Sequence, residues 1–331
     1  MTLRDIHLSL FFTRGVSLKI WDEIGMLERE VALYEVLCPH LGGVSFITYG
    51  DKRDLEYKKK LEGIRIFCNS WKLPNRWYCW LLTNFYPLFW RSDTIVKSNQ
   101  LQGADIALKA AHRFGKKFIA RCGYLYSDFM EHKYGKDSSR AHEAHTLERR
   151  VFRAADQIVV TTPLIRQMVI DRYKVQPDKI TIIPNYVLTD LFCPNRNQHN
   201  SKPKICFVGR LDEQKNLSTL FKALKGLDVE LLIVGSGPLK KILKEEAHKN
   251  SLSVRFLGNI PHRQLPEILN SSDLFILPSY YEGHPKALLE AMACGLPVIG
   301  TDVSGIRELI THRETGYLCG TSPEEIREAI K

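Results

Sequence analysis

From residue 6 to residue 319 the chain repeats one pattern: a short apolar run, a turn, and then a longer stretch with helical spacing. Runs of Val, Ile, Leu and Phe that are apolar on both sides suit strands buried in a parallel sheet. Parallel strands need long crossover connections, and the helical stretches between the runs supply them. The pattern therefore restricts the fold to the α/β class, with helices on both faces of each sheet. In the first half, strands are predicted at 6–13, 44–49, 64–68, 94–97, 117–120, 157–161 and 179–183. Residues 15–25 read as a loop, and 26–37, 103–112 and 163–173 as helices. Residues 193–203, rich in Asn and Pro, read as a linker. A second and more regular series follows, with strands at 204–208, 230–234, 254–257, 274–278, 297–301 and 316–319. Helices are predicted there at 217–225, 238–250, 261–270, 285–294 and 305–310.

A chain of 331 residues is long for one core and comfortable for two. The expected domains are 1–195 and 196–331. With 44% hydrophobic and 25% charged residues the composition is that of an ordinary globular protein. No apolar run approaches the ~20 residues of a membrane-spanning helix. Leu8 to Phe12 is followed at once by Arg14, without a small-residue cleavage site, and reads as the first strand. The eight cysteines are scattered without a C-x-x-C pair, as expected of small buried residues in a reducing cytoplasm. His142-Glu143-Ala144-His145 is one residue short of a metalloprotease spacing and reads as part of a solvated helix.

The net charge of +10 is uneven. Residues 1–200 hold 30 Lys and Arg against 21 Asp and Glu, whereas residues 201–331 hold 17 against 16. A basic first half suits an anionic membrane surface or an acidic acceptor, and solubility alone explains it equally well. Trp71 to Trp90 is strongly aromatic, with Lys72, Arg76 and Arg91 around it. Such a segment fits an interfacial helix or one packed on the sheet, and its two prolines favour packing.

Three loops of the second half carry the chemistry. Glu282-Gly283-His284-Pro285-Lys286-Ala287-Leu288-Leu289-Glu290 places two carboxylates across a loop-to-helix junction. Pro285 suits the first turn of a helix, and Gly283 allows close backbone approach to a ligand. Free N–H groups at such a junction attract a phosphate while the carboxylates accept hydroxyls, a combination suited to a nucleotide sugar. The strand 204–208 ends in Gly209-Arg210, with Lys215 ahead of the next helix. Arginine can bind phosphate bidentately and lysine acts as a point charge. Gly235-Ser236-Gly237-Pro238 forms a third glycine-rich turn.

In order and spacing, these motifs resemble the family 4 (group 1) retaining glycosyltransferases of the GT-B fold, continuously from about Ile205 to Tyr317. The resemblance implies two Rossmann-like, doubly wound domains facing an interdomain cleft, the first binding acceptor and the second binding the nucleotide-sugar donor. It implies that Arg210 and Lys215 hold the donor diphosphate, Glu282 receives sugar hydroxyls and Glu290 the ribose hydroxyls. The amides of Lys286, Ala287 and Leu288 would cap phosphate or sugar oxygens, and Gly209, Gly235, Gly283 and His284 belong to the lining loops. In the first half Gly15 falls where relatives carry glycines near the donor phosphates. Arg121 or His132 would replace a histidine common in relatives, and Asn99 would face the acceptor. Asn185-Tyr186 resembles the interdomain turn. Relatives continue past Ala329 with a helix that crosses back to the first domain. The sequence stops at Lys331, so this crossover helix is expected to be missing and the second domain truncated.

The implied activity is hexosyl or glycosyl transfer to a glycan or lipid-linked glycan, as in polysaccharide biosynthesis, with retention and without a metal or other cofactor. The absence of a D-x-D segment fits a metal-free site. The expected setting is cytoplasmic and peripheral on the inner membrane face, with no nucleic acid partner. A nucleotide-sugar epimerase, a sugar phosphorylase and a non-catalytic nucleotide-sugar binder share the same sequence features.

Overall fold

The computed structural model describes residues 2–85, 93–195 and 202–331. It divides into two compact units, Met1–Pro184 and Asn185–Lys331. The first holds a seven-stranded parallel sheet formed by β1 (His7–Phe11), β2 (Gly43–Ile47), β3 (Ile64–Phe67), β4 (Thr94–Ser98), β5 (Lys117–Cys122), β6 (Gln157–Val160) and β7 (Ile180–Ile182). Their spatial order is β3-β2-β1-β4-β5-β6-β7, with His7 of β1 in register with Gly43 on one side and Thr94 on the other. Side chains alternate along β1. Phe11 joins a core with Val96, Phe118 and Phe152, while Leu10 and Phe12 join a second core with Trp21, Tyr34 and Phe46. Each face of the sheet thus carries its own helical layer, as parallel sheets require.

The second unit repeats the plan with β8 (Lys204–Val208), β9 (Glu230–Val234), β10 (Val254–Gly258), β11 (Leu274–Leu277), β12 (Val298–Thr301) and β13 (Tyr317–Cys319). All pair in parallel, in the order β10-β9-β8-β11-β12-β13. One apolar cluster built on Phe207, Phe221, Phe275, Leu288 and Ile299 fills it. In each sheet the strand order reverses once, between β1 and β4 and between β8 and β11. Ligands of open α/β sheets bind beyond the strand ends at such a reversal. The loops that matter are therefore 12–17 and 99–103 in the first unit, and 209–216 and 278–285 in the second.

Several elements depart from the pattern-based reading. Residues 15–25 are not all loop, because a helix, Leu18–Glu23, forms within them. Ser17 caps it by accepting from the Ile20 amide, and the buried Asp54 carboxylate accepts from the Leu18 and Lys19 amides at 3.2 Å. That second cap comes from far along the chain and leaves no local signal. β5 runs on to Cys122, so Arg121 lies on the strand and not in the loop after it. Pro285 occupies the N-cap, and the helix begins at Lys286. A terminal helix, Pro323–Ile330, closes the second unit through a Ser322–Glu325 capping box, burying Ile326 against the Leu217–Leu224 helix.

The chain divides between Pro184 and Asn185, ahead of the expected boundary at 195/196, because residues 185–195 pack within the second unit. Phe192 is buried in its core, and the Asn195 amide donates to Asn270 Oδ1. Much of the expected linker, residues 196–201, lies outside the described residues. All eight cysteines are free thiols. Four are buried, three are half-buried and Cys193 is exposed, so the expectation of buried cysteines holds only in part. Burial pushes the Cys206 thiol up to about 12, which keeps it protonated and inert.

The aromatic segment also divides. On the Asn75–Asn84 helix, Tyr78 and Leu82 face inward while Trp77 and Trp80 are half exposed. The rest of that segment, residues 86–90, is outside the described residues.

Candidate active site

The loop after β8 continues the sheet's hydrogen bonding past the strand ends. Gly209 N donates to Val234 O and Leu211 N to Ser236 O, each at 3.0 Å. This seats the loop directly on the Gly235–Gly237 turn. A Cβ on Gly235, at φ +126°, would lie 2.0 Å from Gly209 O, and one on Gly237 would lie 2.3 Å from Leu211 O. Both glycines therefore allow backbone to pack on backbone, a role distinct from lining a ligand. The loop then makes a short helical turn, Glu213–Lys215, that ends at Asn216 in the left-handed region. Asn216 is buried and donates through Nδ2 to Thr321 O at 3.2 Å, which fixes where Lys215 stands.

Lys215 points at the loop after β11, and its Nζ pairs with Glu282 Oε1. Ser279 Oγ donates to the same oxygen at 2.7 Å. Gln214 stitches the two loops together. Its carbonyl accepts from Tyr280 N at 2.9 Å, and its Nε2 donates to Tyr281 O at 2.7 Å. Behind this loop, Thr301 Oγ1 donates to Ser279 O at 2.5 Å. Gly305 lies so close that a Cβ there would be 2.2 Å from Gly283 O and 2.5 Å from Glu282 O. The Lys215 side chain is 14% exposed and that of Glu282 8%. The pair is mostly shielded from solvent, and Oε2 of Glu282 accepts no hydrogen bond among the described residues. An ammonium carries three protons. One is directed at Glu282, so the pair can offer donors to an anion and an acceptor oxygen to a hydroxyl.

The other expected residues fall into place unevenly. Arg210 has a largely exposed side chain, with Nε 3.7 Å from Asp212 Oδ2. It flanks the pair in sequence but is not held by it. Pro285 has no side chain that could cap the Lys286–Ala293 helix, whose first turn carries the amides of Lys286, Ala287 and Leu288. His284 contributes its carbonyl to Asn185 Nδ2 at 2.7 Å. Glu290 stands behind the loop, on the helix that follows it. It is 1% exposed, one turn inside its helix, with Oε1 2.9 Å from His262 Nε2. The His262 ring packs against Phe192 at 4.9 Å.

His262, Ser279, Gln214 and Gly305 are site residues that the sequence reading missed. Gln214, next to Lys215, and Ser279, three residues before Glu282, were the two with a nearby signal.

In the first unit, the Asn99 amide donates to Phe11 O at 2.8 Å, which ties the β4 loop to the β1 end. Arg121 N donates to Ser98 Oγ at 3.1 Å and its Nη1 to Asn99 O at 3.4 Å, so Asn99 and Arg121 are brought together. Gly15, at φ +80°, has open space where a Cβ would stand. His132 is exposed on the last turn of the Tyr126–Tyr134 helix. His145 is held between Glu131 Oε1 at 2.6 Å and Tyr173 OH at 3.0 Å, a structural role. Among the described residues no group of three or more His, Cys, Asp or Glu is placed to hold a metal ion.

Two doubly wound units, with a lysine–carboxylate pair at the strand reversal of the second, define a GT-B architecture. Solved structures of that fold match almost the whole chain. HepE from Anabaena, in complex with UDP and glucose, superposes with a TM-score of 0.74 over 98% of this chain and 90% of that one, at 16% identity. The lipopolysaccharide outer core galactosyltransferase WaaB superposes with a TM-score of 0.67 over 98% and 89%, at 19% identity. Two family models then cover most of the sequence: Glycosyltransferase Family 4 matches residues 43–191 and Glycosyl transferases group 1 matches residues 193–331. The chain belongs to the group 1, family 4 glycosyltransferases.

Among curated relatives, the Phosphatidylinositol N-acetylglucosaminyltransferase GPI3 subunit of Saccharomyces cerevisiae is 25% identical over 90% of this chain and 73% of its own. The UDP-Gal:alpha-D-GlcNAc-diphosphoundecaprenol alpha-1,3-galactosyltransferase of Escherichia coli is 34% identical over 46% of this chain and 44% of its own.

Proposed function

We propose that this glycosyltransferase moves a sugar from a nucleoside-diphosphate sugar to a hydroxyl of a glycan or lipid-linked glycan, with retention at the anomeric carbon and without a metal. The Lys215–Glu282 pair at the β8/β11 reversal carries the reading. A nucleotide-sugar donor needs cations beside its diphosphate and an acceptor for its sugar hydroxyls, and here the two sit side by side in a shielded setting. The activities for which the relatives are named support the donor and acceptor classes, a UDP-sugar in one case and phosphatidylinositol or a diphosphoundecaprenol lipid as acceptor.

In the proposed reaction the acceptor oxygen bonds to the anomeric carbon on the face from which the diphosphate departs. The carbon–oxygen bond to the diphosphate breaks, and its electron pair stays with the phosphate. The acceptor proton passes to a phosphate oxygen. Lys215, with Arg210 swinging in from solvent, stabilises the charge that grows on the leaving diphosphate, a task otherwise suited to a divalent cation. Glu282 takes sugar hydroxyls through Oε2. Glu290, oriented by His262, takes the ribose hydroxyls, and the amides at Lys286 to Leu288 take oxygens of the phosphate or sugar. Asn99 is assigned to the acceptor, Gly15 to the donor phosphates and Arg121 to the donor sugar.

The test is transfer from UDP-, GDP- and ADP-sugars in the presence of EDTA, with the anomeric configuration of the product read by NMR. Lys215→Ala and Glu282→Ala should abolish transfer while the fold persists. Full activity in both variants overturns the site, an inverted product overturns retention, and loss of activity with EDTA overturns metal independence.

A further inference from the structure

The Asn75–Asn84 helix and the turn before it hold large aromatic side chains out in solvent. Trp71 is 73% exposed, Trp77 52%, Trp80 50% and Phe85 59%. Their exposure is built in. The Asn69 side chain clasps the turn, with Nδ2 donating to Leu73 O at 2.7 Å and Oδ1 accepting from Leu73 N at 2.9 Å. Lys72 takes the left-handed conformation needed to make that turn. Trp71 is thus held outward by a locked turn. On the helix, inward-facing Tyr78 and Leu82 anchor one side, so the opposite side cannot rotate into the core. The outward rings of Trp77, Trp80 and Phe85 form one edge. Trp77 meets Trp80 at 6.2 Å and Trp80 meets Phe85 at 5.1 Å.

Within the segment itself the charge has one sign. From Gly63 to Phe85 the sequence contains Arg65, Lys72 and Arg76 and no Asp or Glu. The Arg76 guanidinium lies over the Trp77 ring at 5.5 Å, while the Lys72 side chain is 74% exposed. The Asp51 carboxylate reaches this rim, with Oδ2 3.9 Å from Lys72 Nζ and Oδ1 shared with Arg53. Indoles that keep an N–H for polar headgroups, with basic side chains at their rim, match the boundary between acyl chains and anionic headgroups. A folded helix with this edge fits a flat, negatively charged and deformable surface.

We propose that the face formed by Trp71, Trp77, Trp80 and Phe85, rimmed by Lys72 and Arg76, docks the first unit on an anionic lipid bilayer. The docking does not depend on the transfer reaction and can be measured without a donor or an acceptor. The full chain is floated with vesicles of phosphatidylcholine alone and of phosphatidylcholine with phosphatidylserine, at low and high salt. Two double variants are compared, Trp77→Ser with Trp80→Ser and Lys72→Glu with Arg76→Glu. These side chains are exposed, so both variants should keep the wild-type circular dichroism and melting temperature. The native chain should float with the anionic vesicles and lose binding at high salt. Each double variant should bind at least tenfold more weakly. Flotation of the variants at the native level overturns the proposal, as does a native chain that binds neither vesicle. A native dimer that the tryptophan variant converts to monomer, with no vesicle binding, shows that the face covers a second copy and also overturns it.

Discussion

Replacing Lys215 by alanine should destabilise the second unit and leave the first untouched. The ammonium and the Glu282 carboxylate are 14% and 8% exposed, so removing the lysine strands a mostly buried charge that keeps only the Ser279 hydroxyl. Breaking a buried pair in this way costs ~3–5 kcal/mol, whereas an exposed pair contributes ~0–1 kcal/mol. The remaining hydroxyl and the residual exposure place the expected loss near ~3 kcal/mol on that scale. Lys215→Met combined with Glu282→Gln removes both charges and should recover most of the loss. The two units can be followed separately. All five tryptophans precede residue 91, so indole fluorescence reports the first unit alone, while hydrogen exchange of β8 and β11 reports the second. The predicted outcome is an unchanged fluorescence transition and a fall in the protection of β8 and β11 that salt does not abolish. A change below ~1 kcal/mol, or one equal to that of the double variant, would refute the claim that the pair is shielded and mutually dependent.

Other outcomes follow from particular contacts. Gly305→Ala places a Cβ against the carbonyls of Glu282 and Gly283. It should cost ~1–3 kcal/mol as an overpacked contact and lower transfer by displacing Glu282, as thermal unfolding and initial rates would show. Gly15→Ala meets no neighbouring atom and should cost only the ~1–2 kcal/mol of a left-handed residue. A loss of turnover much larger than that change in stability would place Gly15 beside substrate. Glu148 is buried, accepting from Ser127 N and Tyr173 OH, and burial raises its carboxyl above the ordinary value of 4.5. A raised carboxyl favours folding below its unfolded value, and that stability is lost as pH rises through the folded value. Urea unfolding of the native chain should therefore show a downward component above pH 4.5 that Glu148→Gln lacks; parallel curves for the two proteins would refute it.

Regular βαβ patterning made the second half legible. β8 and β9 begin and end where the apolar runs do, and both loops of the β8/β11 reversal carry residues expected to meet a donor. That Lys215 and Glu282 pair directly could not be read from the chain, because 67 positions separate them and only the strand order joins them. The same limit hid His262 behind Glu290 and Asp54 behind the Leu18–Glu23 helix. Gly235 was legible as a special position, but its reason was not, because the constraint is the carbonyl of Gly209 in another loop. Arg121 was misplaced by the local rule that ends a strand where polar residues begin. β5 continues beside β6 through Cys122, since Arg121 pairs in register with Val159. The outward edge of the Asn75–Asn84 helix was also obscured, because aromatic residues on both sides conceal which side faces the sheet.

The central claim is a nucleotide-sugar site built on Lys215, and ligand-induced thermal stabilisation tests it most directly. UDP, GDP, ADP and their sugar conjugates are each added to the native chain and to Lys215→Ala. A ligand at 100 times its dissociation constant stabilises by ~2.7 kcal/mol. The account predicts that one nucleoside diphosphate raises the melting temperature of the native chain and that the shift disappears in the variant. An equal shift in both proteins, or none with any of these nucleotides, would contradict it.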